Sequence, residues 1–224
     1  MIINKKITTM KYFITIAFLF FAFSIKAQSF LNGAMATYSP AEPEKYTGSP
    51  FYEKEFVQGV VKNGDGDSQY LMMRYNALQD VVVLKLRPQS TELFLLPPVT
   101  DIMYETEDYT YMLNDSVSNL PASTKYYANF FKGERSHLIG VPTLDLNSKE
   151  KAKTGYQDDI PANFQVDMEY YLSVNGGEFE KINFRTKRLA SLFKNSDMEN
   201  YAADQKIKNA DDVVSLLKYY ENLK

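Results

Sequence analysis

From Glu55 onward the chain alternates short apolar runs with polar breaks, and within the runs the period is two. Phe56–Val61, Tyr70–Tyr75, Val81–Leu86 and Glu92–Leu96 have the length and the β-branched and aromatic enrichment of strands. Asn63-Gly64-Asp65-Gly66-Asp67 separates the first two and reads as a tight connection, because glycine accepts positive backbone angles and Asn and Asp favour turns. Within Leu71–Tyr75 the alternation puts Leu71, Met73 and Tyr75 on one face, Met72 and Arg74 on the other. Pro97-Pro98 stops this ladder by removing donors. Ile102–Tyr104 and Tyr109–Leu113 follow, then a polar stretch at Asn114–Thr124. Tyr126–Phe131 and Ser136–Leu146, turning near Gly133, predict a second hairpin whose later arm is interrupted by Pro142. Lys149–Asp159 is charged and reads as an exposed loop. Phe164–Val174, Asn175-Gly176-Gly177 and Glu178–Phe184 give the clearest hairpin signal.

Beyond Phe184 the period changes to that of helices. Thr186 is placed to cap a helix carrying Leu189, Leu192 and Phe193, and Ser196 with Glu199 has the spacing of a capping box ahead of Met198, Tyr201 and Ala202. Asp211 begins a third helix with an apolar stripe at Val213, Leu216, Leu217 and Tyr220. The predicted fold is α+β, mainly β: an antiparallel meander or partly open barrel with two to three short C-terminal helices. Residues 51–184 form the β-rich body, and 185–224 form a helical tail packed on it within one domain.

Lys5, Lys6 and Lys11 precede an apolar core, Tyr12–Phe23, and then Ser24-Ile25-Lys26-Ala27-Gln28; this order is that of a secretory signal peptide. Only 14 residues separate Lys11 from Lys26, whereas a spanning helix needs about 20. Residues 1–27 are therefore expected to be cleaved after Ala27, with Met1 or Met10 as the start. The expected location is outside the cytoplasm: periplasmic, extracellular or associated with the outer membrane, with no transmembrane segment in the mature chain. Residues 28–50, with Pro40, Pro43, Gly48 and Pro50, read as a flexible arm or linker on which Tyr38 and Tyr46 offer docking points.

Composition narrows the function classes. The chain has no cysteine, which excludes disulfides, thiolate metal sites and thiol nucleophiles. Tyr and Phe number 17 and 15 against no Trp, a bias toward sheets. The formal charge is −3; loss of Lys5, Lys6, Lys11 and Lys26 with the leader takes it to about −7, a balance that repels phosphate backbones. No nucleic-acid partner is expected, and the basic run Lys181–Lys194 reads as a solvated helix end.

Four features invite a chemical reading. Asn63–Asp67 offers alternating oxygens to calcium, yet the twelfth position of such a loop, normally Glu, is Arg74. Arg74-Tyr75-Asn76 with Asp80 fits either a polar ligand contact or an Arg ion pair beside an Asn-Asp turn. His137 is the single histidine; Ser136 beside it would point to the opposite face of a strand, against a dyad. The 28 acidic residues include no spacing that marks a pair for acid–base work. No catalytic residue, metal ligand or cofactor is assigned, and the ligand-binding residues are left open.

Gly48-Ser49-Pro50-Phe51-Tyr52, Leu71-Met72-Met73-Arg74-Tyr75-Asn76, Asp80-Val81, Glu169-Tyr170-Tyr171-Leu172 and Leu216–Tyr220 together resemble uncharacterised secreted proteins of Bacteroidetes-type bacteria. That resemblance implies a signal peptide ending in Ala-Gln, a strand-rich body and a short helical tail, with no known activity. Three functions stand: a non-enzymatic envelope protein binding a partner or ligand, a structural or assembly factor of the envelope, and a hydrolase acting on envelope glycans through paired carboxylates.

Overall fold

The computed structural model describes residues 31, 33–41, 46–115, 117, 119–121, 124–147 and 162–223. The leader and the Lys149–Asp159 loop lie outside these residues. The chain divides into two compact units, 1–34 and 35–224. Of the first, Leu31, Gly33 and Ala34 are described, and they form a turn closed by the Ala34 N–H on the Leu31 carbonyl.

The second unit is mostly β. Its strands are β1 (Ala36–Thr37), β2 (Tyr46–Gly48), β3 (Val57–Lys62), β4 (Ser68–Asn76), β5 (Val81–Lys85), β6 (Phe94–Leu95), β7 (Met103–Glu105), β8 (Thr110–Leu113), β9 (Tyr126–Lys132), β10 (Ser136–Asn147), β11 (Ala162–Val174) and β12 (Glu180–Ile182). They form one open 12-stranded sheet in the order β1-β6-β5-β4-β3-β7-β8-β9-β10-β11-β12, with β2 on β11. The predicted meander is present from β3 to β6. The segment 96–102 then carries the chain back past β5, β4 and β3 to β7, tucking in Leu96 and Ile102.

Register fixes which side chains share a face, since directly opposed residues point the same way. Leu71, Met73 and Tyr75 lie with Leu84 and Val82, and through Val61 the same face continues to Tyr104, Tyr111, Ala128 and Gly140. All these residues except Gly140 are apolar or aromatic and no more than 3% exposed. A Cβ at Gly140 would sit 2.6 Å from the Met168 sulfur and 2.8 Å from the Phe130 ring, so glycine lets both fill the face. The β3–β4 turn is closed by the Asp67 N–H on the Asn63 side-chain carbonyl (2.8 Å), with Gly66 at φ 88°.

Three described helices follow: α1 (Thr186–Leu192), α2 (Ser196–Ala203) and α3 (Ala210–Asn222). Their starts differ from expectation by one residue. Asn195, not Ser196, caps α2, accepting from the N–H groups of Asp197 and Met198; Asn209 and Asp212 form the capping box of α3. Thr186 is the first residue of α1 and Arg185 precedes it without a side-chain cap. The apolar stripes pack as one cluster against the sheet, with Leu189, Met198, Ala202, Val213, Leu216 and Leu217 meeting Leu138 and Leu172. The opposite face at β9–β11 carries Tyr127, Ile139, Val141 and Tyr171, covered by Met112, Val117, Leu120 and Phe179.

Three strand expectations are corrected. Glu92–Leu96 contributes only the pair Phe94–Leu95, and Glu178–Phe184 only Glu180–Ile182. Pro142 does not interrupt β10, which runs through it opposite Met168 and pairs with β11 over its full length. A proline without N–H is tolerated where its nitrogen faces an unpaired side. In the 28–50 segment, β1 joins β6 and β2 joins β11. There Tyr38 is buried with its hydroxyl accepting from Asn76 (2.7 Å), and the Tyr46 ring lies 5.1 Å from Phe164.

Candidate functional site

A cavity forms where β9 and β10 part. Paired residues run from His137↔Lys132 to Gly140↔Ala128 and stop there, although β10 continues to Asn147. Continuing the register would oppose Tyr126 to Pro142 and Thr124 to Leu144. Instead these residues line a cavity of about 400 Å³, whose other walls include Tyr75, Ala77, Leu78, Asp80 and Pro121. The fork has a local cause, because Pro142 cannot donate to β9.

Asp80 brings charge to this cavity. It ends the β4–β5 turn, where the Asn76 side-chain carbonyl accepts from the N–H groups of Leu78 and Gln79 (2.8 and 3.0 Å). Its φ of 50° is a left-handed conformation that Asp tolerates better than most residues. One carboxylate oxygen accepts from the Tyr75 hydroxyl at 2.5 Å, the other from the Lys125 N–H at 2.8 Å, and the Tyr126 N–H also donates. Burial raises the Asp80 pKa, while these donors and the Lys125 charge oppose the rise. With three donors placed, about one of the roughly four acceptor positions of the carboxylate is left for an incoming group. Burial, then the Asp80 charge, push the Tyr75 phenol far up, so it stays protonated and donates.

Behind the cavity runs a seam of aromatic rings. Tyr75 stacks on Tyr111 (5.0 Å), and Tyr109, Phe130, Tyr170 and Phe184 continue edge-on or tilted at 4.9–5.4 Å. Glu53, 8% exposed, locks its near end. Its Oε2 accepts from the Tyr75 N–H (2.7 Å), and its Oε1 accepts from the hydroxyls of Tyr109 (2.7 Å) and Tyr111 (2.8 Å). The Tyr75 carbonyl meanwhile accepts from the Tyr52 N–H. A side-chain carboxylate thus stands where a neighbouring strand's carbonyl would. Burial first, and the Glu53 charge second, raise the phenols of Tyr109 and Tyr111.

No known family, curated protein or solved structure matches this chain.

The cluster of Arg74, Tyr75, Asn76 and Asp80 is split by the sheet. Tyr75 and Asp80 come together at the cavity and Asn76 shapes the turn. Arg74 points to the other face, its guanidinium 3.7 Å from the Phe51 ring centre and donating to the Ser49 hydroxyl (3.4 Å). Ser136 and His137 also part: the Ser136 hydroxyl donates to Glu221 (2.6 Å), and His137 Nε2 meets the Asn129 side-chain carbonyl (2.8 Å) beside Phe179. Burial and Lys132 lower His137 to about 4. Among the described residues no group of three or more His, Cys, Asp or Glu side chains is arranged to hold a metal, and the Asn63–Asp67 oxygens serve the turn itself. Lys181 pairs with Glu169 (2.6 Å). No helix of the described residues is long and apolar enough to cross a membrane.

Neither Glu53 nor the fork is marked by the sequence patterns considered above. For Glu53 the available signal was the density of tyrosines at Tyr104, Tyr109 and Tyr111, since buried phenols need acceptors. For the fork it was Pro142 inside an otherwise continuous strand pattern.

Proposed function

We propose that this chain is an exported, non-enzymatic binding module whose ligand seat is the cavity between β9 and β10. The observation that carries the reading is a cavity of about 400 Å³ with a mixed apolar and polar wall and one convergent carboxylate, Asp80. This is the size and composition of a small-ligand or side-chain pocket. Export rests on the leader-like order of residues 1–27 and on the resemblance to secreted proteins. A glycan hydrolase would need two carboxylates about 5 to 10 Å apart, and the described lining supplies one.

The test compares the native chain with Ala77→Phe, which fills the cavity from the β4–β5 turn. Each is immobilised and offered an envelope extract of the native host. A molecule held by the native chain and not by the filled variant is the expected result; identical retention by both contradicts the reading. Mass spectrometry of the protein from its host should find an N-terminus at Gln28, and an intact Met1 or Met10 would contradict export.

A further inference from the structure

Resting on that reading, we propose that the ligand is an extended peptide segment of a partner protein, which adds as a strand to β10 at residues 143–147, on the side where no described strand pairs with it, and places a basic side chain in the cavity beside Asp80.

The first support is the sheet edge. β11 pairs with β10 as far as Asn147, but among the described residues β9 accompanies it only to Gly140. In an antiparallel ladder, successive residues direct their N–H and C=O groups alternately to the two sides. Beyond Pro142, every second residue of β10 therefore turns its backbone pair into the fork. Such an edge is a template for strand addition, where main-chain bonds give affinity and pockets for alternate side chains give specificity.

The second support is the position of the cavity. Val141, Pro142, Thr143 and Leu144 form one wall, so a strand laid on the edge would direct alternate side chains into the space ending at Asp80.

Charge chooses the side chain. Among the described residues the lining holds one carboxylate and no Lys, Arg or His. On the same ribbon Asp145 faces Gln165, and Asp167 faces Thr143, so the approach is acidic as well. Lys125 offsets part of the Asp80 charge from outside the lining; its ammonium lies 5.7 Å from the centre of the Tyr126 ring. The remaining acceptor position suits one N–H donor of a lysine or arginine. An acidic side chain in the cavity would meet repulsion from Asp80. Leu146, 49% exposed at the far end of the edge, offers an apolar contact to the same strand.

The probes are three synthetic octapeptides: one alternating Lys and Val, its Glu-for-Lys counterpart, and the Lys-Val peptide with a central proline. Binding is measured by fluorescence anisotropy at fixed ionic strength, and the contact is mapped by amide hydrogen exchange on the native full chain. Expected are saturable binding of the Lys-Val peptide, binding about tenfold or more weaker for each of the others, and new protection confined to residues 143–147 and the 77–80 turn. Asp80→Asn keeps a residue that tolerates the left-handed backbone and should weaken the Lys-Val peptide about tenfold. Thr143→Trp, which blocks the fork from the opposite wall, should abolish binding.

Equal binding of the Lys and Glu peptides, protection elsewhere, or no loss with Asp80→Asn in a chain of unchanged melting temperature would overturn the proposal. If the Lys-Val peptide fails while the envelope extract still yields a cavity-dependent molecule, the strand-addition idea falls and the binding module stands. If both fail, the binding reading falls too.

Discussion

Two buried regions of this sheet are held by different physics. Under the helices, Leu138 and Leu172 meet Leu189, Met198, Val213, Leu216 and Leu217, a core of aliphatic shape. Under β4, β8 and β9, the space is filled by Tyr75, Tyr104, Tyr109, Tyr111 and Tyr126. An aliphatic core asks only for volume and is forgiving of swaps that conserve it. A tyrosine core asks for volume and for a partner at each hydroxyl, and an unmet partner in a dry site is costly. The seam is therefore the more exacting region: Glu53 holds the hydroxyls of Tyr109 and Tyr111, Asp80 holds that of Tyr75, and those of Tyr104 and Tyr126 bond each other. That precision adjoins the fork, where Tyr75 spans from the Glu53 carboxylate at its N–H to the Asp80 carboxylate at its hydroxyl.

The sharpest break in the comparison is Glu53→Ala. It leaves three donors without their acceptor and should destabilise by about 4 kcal/mol in denaturant unfolding; a loss below about 1 kcal/mol would deny the lock. Next comes Leu217→Ala, which opens a cavity under the helices at a cost of about 3 kcal/mol. Leu217→Met should cost less than about 1.5 kcal/mol. If Leu217→Met cost as much as Leu217→Ala, the helical core would be no more forgiving than the seam.

Tyr111→Phe keeps the ring and removes one donor to Glu53, for about 1 kcal/mol. The seam account requires that this near-isosteric change still be measurable.

The effect expected at His137 depends on pH. Its folded pKa, about 4, lies below the unfolded value near 6.5. Between these values the unfolded chain binds the extra proton, so stability falls as pH drops from about 6.5 to 4 and levels below. Glu169 and Glu221, both lowered in the fold, add their own loss at the acid end, so the comparison must be with His137→Gln. That variant should lose less stability across the window; parallel pH profiles would contradict the burial of His137.

Local structure is legible in the sequence. Leu71, Met73 and Tyr75 share a face as their alternation requires, Asn63–Asp67 turns, and the stripe at Val213, Leu216, Leu217 and Tyr220 is buried. Long-range pairing was not legible. β10 meets β11 across residues 148–161, and nothing local in Ser136–Leu146 says that its partner on that side is Phe164–Val174. Helix starts slipped by one residue because Asn195 and Ser196, or Asn209 and Asp211, are equally plausible caps on type alone. The candidate site was half visible: Tyr75 and Asp80 stood in one recognised cluster, but their separation from Arg74 follows from the two faces of β4. Glu53 lay outside any periodic pattern.

The fork itself can be measured without any ligand. Residue-resolved amide hydrogen exchange on the free chain should find Leu138–Gly140 protected throughout, because β9 and β11 flank them, and an alternation at residues 143–147: slow where the N–H faces β11, fast where it faces the fork. Uniformly slow exchange along 143–147 would mean that the edge is already occupied, and would contradict a binding seat there.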